Sequence, residues 1–337
     1  MKLNLSIGYI ALTFLVSGCY TTSNFTPLNI EILRPSIIGP AQNRRIAILY
    51  NNSNFRKNPD NSWFIFNEKI RHDSVNSDSI ASVIYYESFL DSLKKSNYYD
   101  TITDLGRNYP DIGNDSIILL KKKQLDEIRN TVGCNLILTL DQFSVNDISF
   151  TNSAIDQAGI SFYIRAIWVI YNLAQTKNTL ILHKDTLIYS RPYKDFSPDS
   201  LLKDRPYLLA EASTQWGSEF ALNFVPHWQE VQRLCYQSGD LLFREADEHV
   251  RKNEWMDAAR IWKPLTANKN KNIAAKSMFN LAIACEMDDD MDAAIDWVTK
   301  SYNVFGLKNE GHARHCQEYL KILHERQTDL KQFEPIE

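Results

Sequence analysis

Ile160-Ser-Phe-Tyr-Ile-Arg-Ala-Ile-Trp-Val-Ile-Tyr171 decides the fold of the first two thirds of the chain. Successive side chains of a strand point to opposite faces. Phe162, Ile164, Ala166, Trp168 and Ile170 therefore share one face, and Tyr163, Arg165, Ile167, Val169 and Tyr171 the other. Both faces are mostly apolar or aromatic, which predicts a central strand. A turn at residues 175–178 returns the chain into a hairpin partner, Thr179 to Ser190.

Upstream, Arg45-Ile-Ala-Ile-Leu-Tyr50 is a near-continuous apolar run, as expected of a strand buried on both faces. A polar loop containing Pro59 follows. Ser77 or Asp78 can cap a helix to about Ser96, with Ala81, Ile84, Tyr85, Ser88, Phe89 and Ser92 as its stripe. Tyr99 to Leu105 reads as a short strand. Lys121 to Val132 reads as a helix closed by Gly133, and Asn135 to Leu140 as another strand. Downstream, a helix from Pro206 to about Phe224 carries Leu209, Ala212, Ser213, Trp216, Gly217 and Phe220 on one side, and Pro226 ends it. The small residues at 213 and 217 would let it lie close on the sheet. The order β-α-β-α-β-β-β-α predicts an α/β sandwich over residues 43–236, a mixed sheet with helices on one face.

Beyond Gly239 the period changes. Met256-Asp-Ala-Ala-Arg-Ile-Trp262 recurs 35 residues later as Met291-Asp-Ala-Ala-Ile-Asp-Trp297. Tetratricopeptide repeats have a 34-residue helix–turn–helix period. Setting Ala259 and Ala294 at the small position of the second helix places Leu281-Ala282 at the Leu-Gly position of the first. A helix from Glu310 to about Gln327 would cap the array, with Leu320 and Leu323 inward. Residues 237–330 are thus expected to form an all-α tetratricopeptide-like hairpin array with a short tail at 331–337, and the whole chain to be α+β.

At the amino terminus, Lys2 precedes a short apolar run, Leu5 to Val16, too short to span a bilayer that needs about 20 residues. Leu15-Val-Ser-Gly-Cys19 matches a lipobox, so residues 1–18 read as a lipoprotein signal peptide and Cys19 as the lipidation site. Residues 19–42 read as tether and lead-in. The composition, 44% hydrophobic and 23% charged over 337 residues, excludes a disordered chain. A formal charge of −4 gives no electrostatic case for nucleic acid. Cys134, Cys235, Cys285 and Cys316 contain no CxxC, so neither a zinc ribbon nor a redox pair is signalled.

Catalytic motifs are missing from the string. His324-Glu-Arg-Gln-Thr328 lacks the second histidine of a zincin, and Gly306 to Gly311 has Walker A spacing but continues with His312-Ala313. His312 and His315, three apart, read as surface histidines rather than a metal pair, and Asp288-Asp-Asp290 as an acidic inter-helix turn. No metal, cofactor or catalytic residue is expected. A binding surface is: the first helix of each repeat would line a concave groove with Arg244, Glu248, Arg251 and Lys252, then Lys276, Phe279, Ile283 and Glu286. Cations beside an apolar strip suit an extended peptide or a carboxylate terminus. The competing reading is an enzyme or small-ligand receptor, with Arg, Asp and His converging from loops at 141–159 and 183–199.

The chain resembles a Bacteroidetes family of uncharacterised lipoproteins known as domain of unknown function 6340. The residues that carry the likeness are the lipobox ending at Cys19, Ile32-Leu-Arg-Pro35 ahead of Arg45–Tyr50, the Pro226-His-Trp228 helix end, and Ala258-Ala-Arg-Ile-Trp262. The likeness runs over nearly the full chain. Pro35-Ser36 stands where the family typically has Pro-Ala. The resemblance implies an envelope lipoprotein without assigned activity. With Tyr20 after the lipid cysteine and no acidic run following, it implies an outer-membrane protein facing the periplasm. The groove residues and the missing catalytic motifs, rather than the family, point to a lipid-tethered, non-enzymatic adaptor for a protein or peptide.

Overall fold

The computed structural model describes residues 25–38, 44–52, 63–66, 69–72, 77–107, 117, 119–152, 157–174, 179–193, 198–237 and 240–333. Cys19 and the signal segment lie outside the described residues. The chain divides into two compact units, Arg34–His227 and, together, the segment ending at Leu33 and Trp228–Glu337.

The first unit is a mixed sheet that includes β2 (Arg45–Tyr50), β5 (Thr101–Arg107), β6 (Leu136–Asn152), β7 (Gln157–Asn172) and β8 (Thr179–Tyr193). Strand β2 lies parallel between β5 and the start of β6. Strand β6 pairs antiparallel with β7, and β7 with β8. A small hairpin, β3 (Trp63–Phe66) and β4 (Lys69–His72), adds to the far half of β6. It falls where the sequence predicts a polar loop. The predicted loop at 141–159 is mostly strand as well, because β6 does not stop at Leu140. Its pairing shifts by one residue between Leu140 and Gln142. Apolar residues alternate at 136, 138 and 140, then at 143 and 145, and the bulge keeps both sets on one face.

Helices α1 (Ser77–Lys95) and α3 (Pro198–Leu222) cover that face, where Tyr85, Phe89, Trp168, Trp216 and Phe220 form the core. Gly217 explains how closely they pack. A Cβ there would come within 2.3 Å of the Tyr85 carbonyl, so the small residue admits the backbone of α1 rather than the sheet. The expectation of helices on one face alone is corrected by α2 (Lys122–Val132). Leu125 packs on the opposite face with Ala47, Leu49, Ile137 and Val169. The near-continuous apolar run of β2 needs this second cover. Gly133 closes α2 at φ 69°, its N–H donating to Arg129 O at 2.8 Å.

The second unit joins both ends of the described chain. Strand β1 (Phe25–Arg34), expected as part of a tether, forms a two-stranded sheet with β9 (His227–Tyr236), expected to belong to the α/β domain. The inward set of β1, Ile30 and Ile32, is buried, and period-2 burial is what makes the segment a strand rather than a linker. Five helices follow: α4 (Leu241–Arg251), α5 (Trp255–Leu265), α6 (Lys271–Met287), α7 (Met291–Phe305) and α8 (Glu310–Lys331). Side chains of Asp240, Asn270, Asp290 and Asn309 cap α4, α6, α7 and α8. In this way the Asp288–Asp290 turn serves as a cap.

Burial recurs between α5 and α7, but out of phase with the repeated string. Helix α5 buries Ala258, Trp262 and Leu265, and α7 buries Ala294, Val298 and Ser301. Each pair is 36 apart, as are the cap positions Glu254 and Asp290, whereas the Met-Asp-Ala-Ala string repeats at 35. Ala258, not Ala259, is therefore the buried small residue. Distance from the cap, which sets the helical phase, overrides the local string. Among the described residues no helix is long and apolar enough to cross a membrane.

Candidate functional site

Strand β9 reads His-Trp-Gln-Glu-Val-Gln-Arg-Leu-Cys-Tyr, and alternation turns Arg233 and Cys235 inward while leaving Trp228, Glu230, Gln232 and Leu234 outward. Its target is α6, which is buried on nearly every side and so acts as the unit's central helix. Two polar devices fix the pairing. Asn280 closes on the backbone of Tyr236, accepting from its N–H and donating to its carbonyl, both at 2.8 Å. Arg233 forms a two-pronged pair with Glu286, Nη2 to Oε1 at 2.6 Å and Nε to Oε2 at 2.9 Å, and Tyr319 of α8 donates to Glu286 Oε2 at 2.7 Å. Arg233 and Glu286 are both buried, so each satisfies a charge that would otherwise be stranded.

A third network runs behind them. Tyr236 Oη and His312 Nδ1 are 2.7 Å apart, and His312 Nε2 lies 3.0 Å from Ser301 Oγ, which donates to Ala275 O at 2.7 Å. With its proton committed, Ser301 accepts from Nε2–H, which leaves Nδ1 to accept from Tyr236. His312 is thus a buried core histidine rather than the surface residue its spacing suggested. Burial pushes it below the ordinary imidazole range. Cys316, 3.4 Å from Nε2, is pushed up to about 11 by burial and remains a thiol.

In front of these pairs lies a pocket of about 270 Å³. Phe279 and Ile283 of α6 form its apolar floor, the Gln232–Leu234 stretch of β9 walls one side, and His315, Glu318 and Ile322 of α8 wall the other. Phe25 of β1 packs against both His315 and Tyr236, at 4.6 and 4.2 Å between ring centres.

The predicted groove is redistributed. Phe279 and Ile283 line the pocket, but both are buried, because β9 lies where an open concave face was expected. Glu286 is consumed by Arg233 and Tyr319. Lys276 is buried with its ammonium 5.4 Å from the Tyr236 ring centre, and burial pushes it below the usual lysine range. Arg244, Glu248, Arg251 and Lys252 sit on or just beyond α4, away from the pocket wall, and Arg251 pairs with Asp247 at 2.7 Å. Sequence reading missed β9 and the α8 face. The period-2 string after Pro226 was the available signal for the first.

In the α/β unit, a second polar cluster stands where the parallel strands end. Asp141, in the β6 bulge, accepts from Asn51 Nδ2 at 2.7 Å and from the Thr139 hydroxyl. Burial pushes its carboxyl up to about 6 despite those two bonds, which favour the charged form. Of the predicted converging groups, the structure supplies two buried acids on β6, Asp141 and Asp147, the second gripped by Arg205 of α3, Nη2 to Oδ1 at 2.6 Å and Nε to Oδ2 at 2.7 Å. The side chains of 183–199 lie outside the described residues.

Comparison with known families divides the chain in two. A family model described as domain of unknown function (DUF8603) matches residues 43–236, more than half of the chain. A second, domain of unknown function (DUF6340), matches residues 244–325. The likeness expected over nearly the full chain is thereby confined to the helical part, and of its carrying motifs only Ala258–Trp262 falls inside. Protein XCC0632 from Xanthomonas campestris, of the DUF330 family, has a crystal structure similar at 7% identity over 56% of this chain and 90% of that one. The TM-score is 0.28, too low to assign a fold. Comparison with curated proteins gave no match.

Proposed function

We propose, from the premise that the chain belongs to the family described as domain of unknown function (DUF8603), that it is a non-enzymatic protein-binding adaptor. A lipid on Cys19 would hold it to the outer membrane on the periplasmic side, and its tetratricopeptide-like helical unit would recruit the partner. The observation that carries this reading is the pocket over Phe279 and Ile283, apolar at its floor and polar at its α8 wall. Such a pocket suits an apolar anchor side chain of a partner segment, with the polar rim setting orientation. The buried ion pair and Asn280 clamp behind it hold the floor in place, which lowers the ordering cost of binding.

The test places a photo-crosslinking residue at Glu318, on the pocket wall, with exposed Arg165 of the α/β unit as control. One discrete adduct at 318 and none at 165 supports the adaptor. Equal adducts at both sites, or none at 318, sinks it.

One observation favours a second reading, a small-ligand receptor or enzyme in the α/β unit. Asp141 lies at the carboxyl end of a parallel β2–β6 pair whose flanking helices α1 and α2 cover opposite faces, the kind of place where open α/β sheets bind ligands. Thermal-shift screening of the protein and of Asp141→Asn against metabolite pools separates the two. A ligand whose stabilisation vanishes in the variant supports the receptor.

A further inference from the structure

We propose that His249, Glu254 and Asp257 form a binding site for a divalent transition-metal ion of the zinc type at the turn between α4 and α5. Three ligand atoms, one from each side chain, lie within 4.8 Å of one another. They come from two helices: His249 from the last turn of α4, and Glu254 and Asp257 from the cap position and first turn of α5.

Glu254 is the informative residue. It occupies the cap position of α5 yet makes no capping bond, unlike the side chains that open the unit's other four helices. Its carboxylate instead approaches His249 Nδ1 at 2.7 Å. The turn that brings them together is built for that approach. Asn253 takes φ 65°, Trp255 Nε1 donates to Asn253 Oδ1 at 2.6 Å, and Glu254 N–H donates to His249 O at 2.9 Å.

The donor chemistry selects the ion. One imidazole nitrogen with two carboxylate oxygens fits zinc and its neighbours, whose bonds of about 2.0–2.2 Å need only a small closure of these side chains. Calcium and magnesium prefer sets of oxygen alone. Three protein ligands leave a fourth position open to water or to a group from a partner. The competitor is Arg260, which pairs with Asp257 but is itself well exposed and can turn into solvent. His249 would exchange its hydrogen bond to Glu254 for the ion, its proton moving to the other ring nitrogen.

The experiment is calorimetric titration of the purified full-length protein with zinc chloride, with magnesium and calcium as comparisons. One equivalent of zinc should bind with Kd of about 10 µM or tighter, and neither comparison ion should compete. His249→Ala and Asp257→Asn should each weaken binding about tenfold or more. Arg260→Ala leaves the ligands in place and removes the competing cation, so it should tighten binding even if a ligand variant folds poorly. Absence of zinc binding overturns the proposal. So does binding that His249→Ala and Asp257→Asn leave unchanged, because the ion would then sit elsewhere.

Discussion

At the scale of single residues, the helical unit rests on polar groups that are costly to leave unmatched. Glu286 faces Arg233 and Tyr319 out of contact with water, so Glu286→Leu alone strands a buried guanidinium and should cost about 3–5 kcal/mol. The double variant Arg233→Met, Glu286→Leu should recover most of that loss in urea unfolding. If the double variant is as unstable as the single, the pair is not the reason. Asp141 titrates with the opposite sign from a salt-bridged acid. Its folded form keeps a proton that the unfolded chain gives up, so stability falls as pH rises from about 4 to 6 and stays low above. Asp141→Asn should flatten that slope and stabilise the protein at pH 7 by up to about 3 kcal/mol, read from urea midpoints at pH 4.5 and 7.

At the scale of elements, two glycines separate a close approach from an accident of composition. Gly217→Ala should destabilise by about 1–3 kcal/mol, because its methyl meets the Tyr85 carbonyl of α1 and backbone cannot step aside. Gly311→Ala, on the exposed first turn of α8 and in ordinary contact with Asn309 at 3.4 Å, should be neutral or stabilising by up to about 1 kcal/mol. Melting temperatures of the two variants should move in opposite directions or not at all for the second. The same elements show what a string of residues can carry. Strand β7 was legible because its alternation is strong and long, and α2 because Gly133 marks its end. Strands β1 and β9 were not, since each is half exposed and finds its partner about 200 residues away. The candidate site was legible only in Phe279 and Ile283. What turned an open face into a pocket was the arrival of β9, a non-local pairing that local pattern does not encode.

At the scale of the whole molecule, the helical unit depends on a strand made long before the rest of it. Phe25 packs on Tyr236 and His315, and the Leu33 carbonyl accepts from Arg326 Nη1 at 2.9 Å. A fragment of residues 227–333 should therefore be less stable than the same unit in the full chain. A synthetic peptide of residues 25–34 added in trans should raise its melting temperature in a concentration-dependent way, by mass action. A scrambled peptide with the same effect would show that β1 contributes only its composition. The N-terminal strand also has a mechanical meaning. Were Cys19 fixed in a bilayer, the five residues before Phe25 could reach no more than about 20 Å. Any tension on that leash would enter the molecule at Phe25 and pass across the ladder into β9, whose Gln232–Leu234 stretch walls the pocket. The anchor would then pull on the wall of the pocket itself, so a stretched tether and a filled pocket would each feel the other.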